Sequence, residues 1–307
     1  VCSSDLYYLT FSEFLKKRFG QKVYKVTLDA GFSCPNRDGT LSSEGCIFCD
    51  DSGSFSRLYS PTLPIEEQLH VGMQKIKNRY HAEKFLAYFQ AYTNTYKPVS
   101  DLKDLYDRVF IDDIVGMSIG TRPDCVDDEK LDLISSYNVG NRFIQVEYGI
   151  QSVHEKTLKF INRGHDFACF EKACKKSKER GLTVCAHVIL GLPNETYDDM
   201  MQTAKTLASM GIDGIKIHML AVMEGTKIHK MFNDGKINLM SEDDYITTVC
   251  DFLEYLPPEM IVQRLAGNGK REIRIQPRWL GKKLELVGKM EKEFERRGTK
   301  QGSKFRK

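Results

Sequence analysis

Three cysteines, Cys34, Cys46 and Cys49, stand in the pattern Cys-x11-Cys-x2-Cys within a stretch rich in Gly, Pro, Asp and Ser. Three thiolates can hold three irons of a cubane [4Fe–4S] cluster and leave the fourth iron without a protein ligand. Such an open iron can take the amino and carboxylate groups of S-adenosylmethionine and pass one electron into its sulfonium. A structural zinc site is the alternative reading. It normally uses four Cys or His, often as two close pairs, and the next histidine, His70, falls inside an expected helix. Cys125, Cys169, Cys174, Cys185 and Cys250 are scattered and read as core or surface thiols. Clustered cysteines in a reducing compartment more often bind metal than form disulfides.

The elements around this loop alternate regularly. Strand-like runs are expected at residues 23–30, 85–92, 113–120, 142–150, 183–190, 214–220 and 260–265. Helical runs are expected at 65–81, 102–110, 127–137, 155–161, 167–180, 197–210, 242–256 and 280–297. Strands interleaved with helices of this length argue for βαβ units and a parallel sheet. The expected fold is α/β, a partial (β/α)6-type TIM barrel with a C-terminal helical extension. Its active-site loops would then lie at the strands' C-terminal ends.

Alternate residues of a strand face one side. Lys25, Thr27 and Asp29 share a parity, as do Tyr88, Gln90 and Tyr92. So do Ser118, Gly120 and Arg122, and so do Gln145, Glu147, Gly149 and Gln151. His187 pairs in the same way with Ile189 and Gly191, and Lys216 with His218. Parallel strands covered on both faces normally read as unbroken Val/Ile/Leu. Polar residues recurring on one parity therefore point to a wide interior that holds a ligand. Glu147, Lys216 and His218 are the candidate substrate contacts; each reads alternatively as a core polar group satisfied within the barrel.

Bulk properties narrow the class. Hydrophobic residues make up 41% and charged residues 28% of the 307, an ordinary globular balance. The net charge of +3 is uneven: residues 270–307 hold 14 Lys or Arg against 5 Glu, hence +9, leaving −6 elsewhere. A basic C-terminal segment with Trp279 and Phe294 fits a docked polyanion, or equally a solvated helix and tail. The expected division is a barrel domain at 7–270 and a basic helix and tail at 271–307. Residues 1–6 read as a non-native scar, which removes Cys2 from consideration. No apolar run is long enough to cross a bilayer and the start lacks signal-peptide features, so a cytoplasmic protein is expected.

Several motifs together resemble the radical S-adenosylmethionine superfamily. They are Cys34-Pro35-Asn36-Arg37-Asp38-Gly39-Thr40 with Cys46 and Cys49, then Tyr88-Phe89-Gln90-Ala91-Tyr92-Thr93-Asn94-Thr95-Tyr96, and Gly120-Thr121-Arg122-Pro123-Asp124. Glu147-Tyr148-Gly149-Ile150-Gln151-Ser152, Ile161-Asn162-Arg163-Gly164-His165 and Gly191-Leu192-Pro193-Asn194-Glu195-Thr196 complete the set. The resemblance is closer to the branch of the catalytic subunit of Elongator, and within it to stand-alone proteins lacking the acetyltransferase domain. It implies roles for S-adenosylmethionine at Phe48 (adenine), at Gln90, Tyr92 and Thr93 (methionine amino group), at Gln151 (ribose) and at Gly191 (backbone approach to adenine). Arg163 would pair with the methionine carboxylate, a partner its guanidinium fork suits. The residues alone also allow Phe48 as a loop anchor, Arg163 as a charge at a helix C-terminus and Gly191 as a strand end. The sequence departs from the branch at Gly120 and His187, where acidic residues are common.

The resemblance implies an enzyme that cleaves S-adenosylmethionine to a 5′-deoxyadenosyl radical and modifies the C5 side chain of a tRNA wobble uridine. It also implies an electron donor of flavodoxin or ferredoxin type. The alternatives are radical chemistry on a small or porphyrin-like molecule, or a non-catalytic iron–sulfur or zinc protein. The segment from Gln263 to Gly269 is expected to form part of a lid or substrate face.

Overall fold

The computed structural model describes residues 7–50, 53, 63–267 and 272–306. The expected scar at 1–6, the tip of the expected lid at Asn268 and Gly269, and Lys270, Arg271 and Lys307 of the basic segment lie outside those residues.

Seven strands form one parallel sheet in the order β1 (Val23–Leu28), β2 (Lys84–Phe89), β3 (Ile114–Thr121), β4 (Phe143–Gln151), β5 (Thr183–Leu190), β6 (Gly214–Met219) and β8 (Ile261–Arg264). All seven expected strands are present. Between them run α2 (Ile65–Tyr80), α3 (Val99–Asp107), α4 (Asp128–Ser136), α5 (Glu155–Phe160), α6 (Phe167–Glu179), α7 (Tyr197–Ser209), α8 (Lys227–Asn233) and α9 (Glu242–Tyr255). Side-chain caps set several helix starts. Asp127, Asp166 and Ser241 each accept from a backbone N–H three residues on, and Thr196 forms a full capping box with Asp199. These caps satisfy N–H groups that the first turn leaves orphaned.

The sheet is curled. Lys25 of β1 donates to Gln263 of β8 at 3.0 Å, although the two strands are at opposite ends of the sheet order. The edges approach without pairing, which makes this a partial barrel. Its outer face is apolar and fully covered: Phe85, Ala87, Phe89, Met117, Ile119, Val146, Tyr148 and Val188 are all essentially unexposed. The inner face carries the polar parity.

One end of the barrel is plugged by a helix the periodicity does not announce, α1 (Phe11–Phe19). Its Leu15 packs with Leu86 and Phe143, flanked by Phe11, Phe14 and Phe19. Arg18 clamps it by donating to the Arg142 carbonyl at 2.7 Å. These contacts are at strand beginnings, so α1 closes the N-terminal end and leaves the C-terminal end for chemistry.

The C-terminal segment packs back on the barrel. β9 (Arg274–Gln276) pairs antiparallel with β7 (Val222–Met223), and α10 (Lys283–Arg297) buries Leu286, Met290 and Phe294. Phe294 is fully buried and stacks on Tyr7 at 5.7 Å, so it belongs to the core and not to a surface for a docked polyanion. Gln301 ties both ends together, accepting from Leu9 N–H and donating to the carbonyls of Pro257 and Met260. Among the described residues no helix is long and apolar enough to cross a membrane.

Candidate active site

The loop after β1 is folded by its own polar groups. The Cys34 carbonyl accepts from the N–H groups of Arg37 and Asp38, and the Asn36 carbonyl accepts from Gly45 N–H at 2.7 Å. Asn36 Nδ2 donates to the Asn162 carbonyl, and Asn162 Nδ2 returns to the Gly45 carbonyl at 2.7 Å. Ile47 N–H donates to the Ile161 carbonyl, so the loop lies across the end of β4 and its following helix. None of Cys34, Cys46 and Cys49 is in a disulfide, and all three line one cavity of about 250 Å³.

That cavity gathers most of the residues singled out in sequence. Phe48, Gln90, Tyr92, Thr93, Gln151 and Arg163 line it beside the cysteines, and Glu147 and His218 line it deeper in the barrel. Two candidates are placed elsewhere. Gly191 does not line the cavity; a Cβ there would lie 2.9 Å from Met240 Sδ. Lys216 is also absent from the lining, because its stem carries the ammonium behind Glu147 to the Tyr88 ring at 4.4 Å. Three further cations line the cavity: Arg122, which shares the polar parity of its strand, Arg264, from the expected lid or substrate face, and Arg37, to which the sequence assigned no role.

The cysteine end is strongly cationic. Arg163 donates from Nη1 to Cys46 Sγ at 3.5 Å and from Nε to the Gly149 carbonyl at 3.0 Å. Asn36 Nδ2 also reaches Cys46 Sγ at 3.5 Å. Arg122 makes a bidentate pair with Asp124, at 2.9 and 2.7 Å. Its Nη1 is buried without a partner among the described residues. Gly149 is glycine for a reason of space, since a Cβ would come within 2.7 Å of Gln151 Nε2 and 2.9 Å of Arg163 Nη2. A bulge between Gly149 and Gln151, with Gln151 at φ +74°, keeps both residues on the cavity side.

The barrel middle is a charge network centred on Glu147, which is 1% exposed. Its Oε1 accepts from Lys25 at 3.0 Å and Gln145 at 2.7 Å. Its Oε2 accepts from His187 at 3.0 Å and from Lys216. Burial pushes the carboxyl up, but the Lys216 and Lys25 ammoniums and His187 outweigh it and hold Glu147 well below the usual range. Burial pushes Lys216 down to about 7 against the pull of Glu147. Burial and the Lys216 charge push His187 down to about 4, so its ring is neutral at pH 7.

The residues present fit an iron–sulfur cluster better than a single metal ion. No group of three or more His, Cys, Asp or Glu among the described residues is arranged to hold one ion. Three cysteines outside any disulfide instead line one cavity, two N–H donors already point at Cys46 Sγ, and Arg122 lines the same cavity. N–H groups aimed at sulfur are what a cluster's outer shell provides.

A parallel partial barrel with a three-cysteine loop over the C-terminal ends of its strands defines a protein that holds a cofactor at the barrel mouth. Residues 39–207 match the Radical SAM superfamily and residues 212–296 match the Radical_SAM C-terminal domain. The chain belongs to the radical SAM superfamily, whose members use a [4Fe–4S] cluster and S-adenosylmethionine. It is 45% identical to YtqA of Bacillus subtilis, over 97% of this chain and 92% of that one. Elongator complex protein 3 of Bos taurus is 29% identical over 154 residues, 49% of this chain and 27% of that protein. The solved structure of Methanocaldococcus infernus Elp3 superposes with a TM-score of 0.65 at 18% identity, covering 91% of this chain and 64% of that one.

Proposed function

We propose that the chain is a radical S-adenosylmethionine enzyme acting on the C5 substituent of a tRNA wobble uridine. The observation carrying the enzymatic part is the convergence of Cys34, Cys46, Cys49, Gln90, Thr93, Gln151 and Arg163 on one cavity. Cys34, Cys46 and Cys49 would hold the cluster. When bound, the cluster and S-adenosylmethionine supply a 5′-deoxyadenosyl radical that abstracts hydrogen from an unactivated carbon.

The chain's own groups position and enclose that chemistry. Arg163, fixed by the Gly149 carbonyl, presents its remaining guanidinium edge to an anionic group beside Cys46. Gln90 and Thr93 at the end of β2 supply polar atoms for an ammonium group, and Phe48 and Tyr92 supply aromatic walls. α1 excludes water from below. An electron donor of flavodoxin or ferredoxin type would deliver its electron from the loop side.

The tRNA part is supported by the partial likeness to Elongator complex protein 3 and by exposed cations of the C-terminal segment. Arg278, Lys283, Lys292, Lys300 and Arg306 are exposed and carry no ion pair among the described residues. Arg296 and Arg297 are poorer candidates, because both pair with Glu293 and Arg297 also with Asp251. The test is mass spectrometry of nucleosides from tRNA of a strain lacking the gene. The expected result is loss of one modified wobble uridine and accumulation of its precursor. An unchanged wobble profile would refute the tRNA assignment.

A further inference from the structure

The far end of the cavity, opposite the cysteine loop, carries more positive charge than its carboxylate can balance. Lys25 and Lys216 both direct their ammonium groups to Glu147. Arg264 stands on the next strand, with its Cα paired to that of Lys216, and it lines the cavity. It is half-buried, with no hydrogen bond or ion pair among the described residues. Its inward aim is built into the backbone. The β6–β8 register runs Ile215 to Val262 and then Lys216 to Arg264, so Gln263 is the extra residue of a bulge. The bulge turns two consecutive side chains inward, Gln263 to Gln145 and Arg264 to the cavity.

His218 sits beside it, on the same face of β6 as Lys216. Gly267 covers the Nδ1 edge so closely that a Cβ there would lie 2.5 Å away. The Nε2 atom is buried and has no partner among the described residues. A buried polar atom without a partner is costly, and at a cavity wall it is a place where a ligand's polar atom is gained cheaply. A guanidinium without a counter-ion, next to an imidazole nitrogen without a partner, is the complement of an oxyanion.

We infer that Arg264 and His218 form a receptor for a carboxylate or phosphate oxyanion of the second substrate, fixing it at the end of the cavity remote from the cysteines. This rests on S-adenosylmethionine occupying the cysteine end, where Arg163 takes the methionine carboxylate, and it does not depend on the substrate being tRNA. The group bound here belongs to the molecule whose carbon gives up hydrogen, and Arg264 sets which molecules are accepted.

The test is anaerobic calorimetry on cluster-loaded protein saturated with S-adenosylmethionine, titrated separately with acetate, inorganic phosphate and acetamide. At least one anion should bind and the neutral amide should not. Arg264→Gln should weaken anion binding by about ten- to a hundredfold, as loss of a charge-assisted hydrogen bond does. Arg264→Lys should fall between, keeping the charge but not the fork. The affinity for S-adenosylmethionine should be unchanged in both. Arg264→Gln should also melt higher than wild type without ligand, because it removes a charge repelled by Lys25 and Lys216; an arginine that merely supports the fold would melt lower when replaced. His218→Gln gives a second reading of the anion site. Neither anion binding to wild type would overturn the inference. So would anions competing with S-adenosylmethionine while Arg264→Gln weakens its binding, since the oxyanion received would then be the methionine carboxylate. Wild type that binds an anion but no S-adenosylmethionine would sink the cofactor reading alone.

Discussion

Glu147 shows how much one side chain can organise in a barrel interior. A carboxylate without solvent survives because four donors surround it, two of them ammonium groups. Removing one partner of such a set leaves buried charge uncompensated, which costs far more than the pair contributes. His187 gives a measurable consequence. It is held neutral with its pKa near 4, whereas in the unfolded chain it takes up a proton below about 6.5. The unfolded state therefore binds more protons between these values, and stability is lost as pH falls from about 6.5 to about 4. Comparing denaturant unfolding of wild type and His187→Gln across this range should show a shallower acid loss in the variant, by about 3 kcal/mol. Equal acid slopes would contradict the assigned environment. Parity alone put Glu147, Lys216 and His218 on the inner face, yet it could not say which reach the cavity. The long stem of Lys216 folds behind Glu147, and Arg264 turns inward only because Gln263 bulges. Neither the fold-back nor the bulge leaves a mark in residue type.

At the scale of elements, six of the sheet strands were legible because each combines an apolar parity with a polar one, and β8 because a short apolar run follows Pro257 and Pro258. α8, β7 and β9 were not, being too short at seven, two and three residues for any period to show. α1 escaped for a different reason. Its nine residues include Lys16, Lys17 and Arg18, and its apolar face becomes meaningful only against Phe143 and Leu86, which lie far away in sequence. That helix seals the floor of the barrel. Leu15→Ala, at a position 1% exposed, should cost about 2–5 kcal/mol in chemical denaturation. The cysteines should remain able to load iron, because the loop they occupy is fixed at the opposite end by Asn36, Asn162 and Ile161. A Leu15→Ala protein of unchanged stability would remove α1 from its role as a plug.

The whole molecule divides its charge between a mildly acidic body and a basic C-terminal segment, but part of that basic charge is neutralised internally. Lys289 pairs with Glu242, Arg297 with Asp251 and Glu254, and Lys304 with the same two acids. A count along the sequence cannot separate these from the cations left exposed. Replacing Lys283, Lys292 and Lys300 with Gln should weaken tRNA binding and lower the slope of log affinity against log salt by about one for each phosphate no longer neutralised. An unaltered slope would remove these cations from the proposed tRNA contact. The claim on which all scales converge is that three thiols hold a cluster whose remaining iron is open. Electron paramagnetic resonance of anaerobically reconstituted, dithionite-reduced protein tests it most directly. The cluster signal should change shape on addition of S-adenosylmethionine and should be absent from Cys46→Ala. A signal indifferent to S-adenosylmethionine, or zinc in place of iron in protein purified without oxygen, would contradict it.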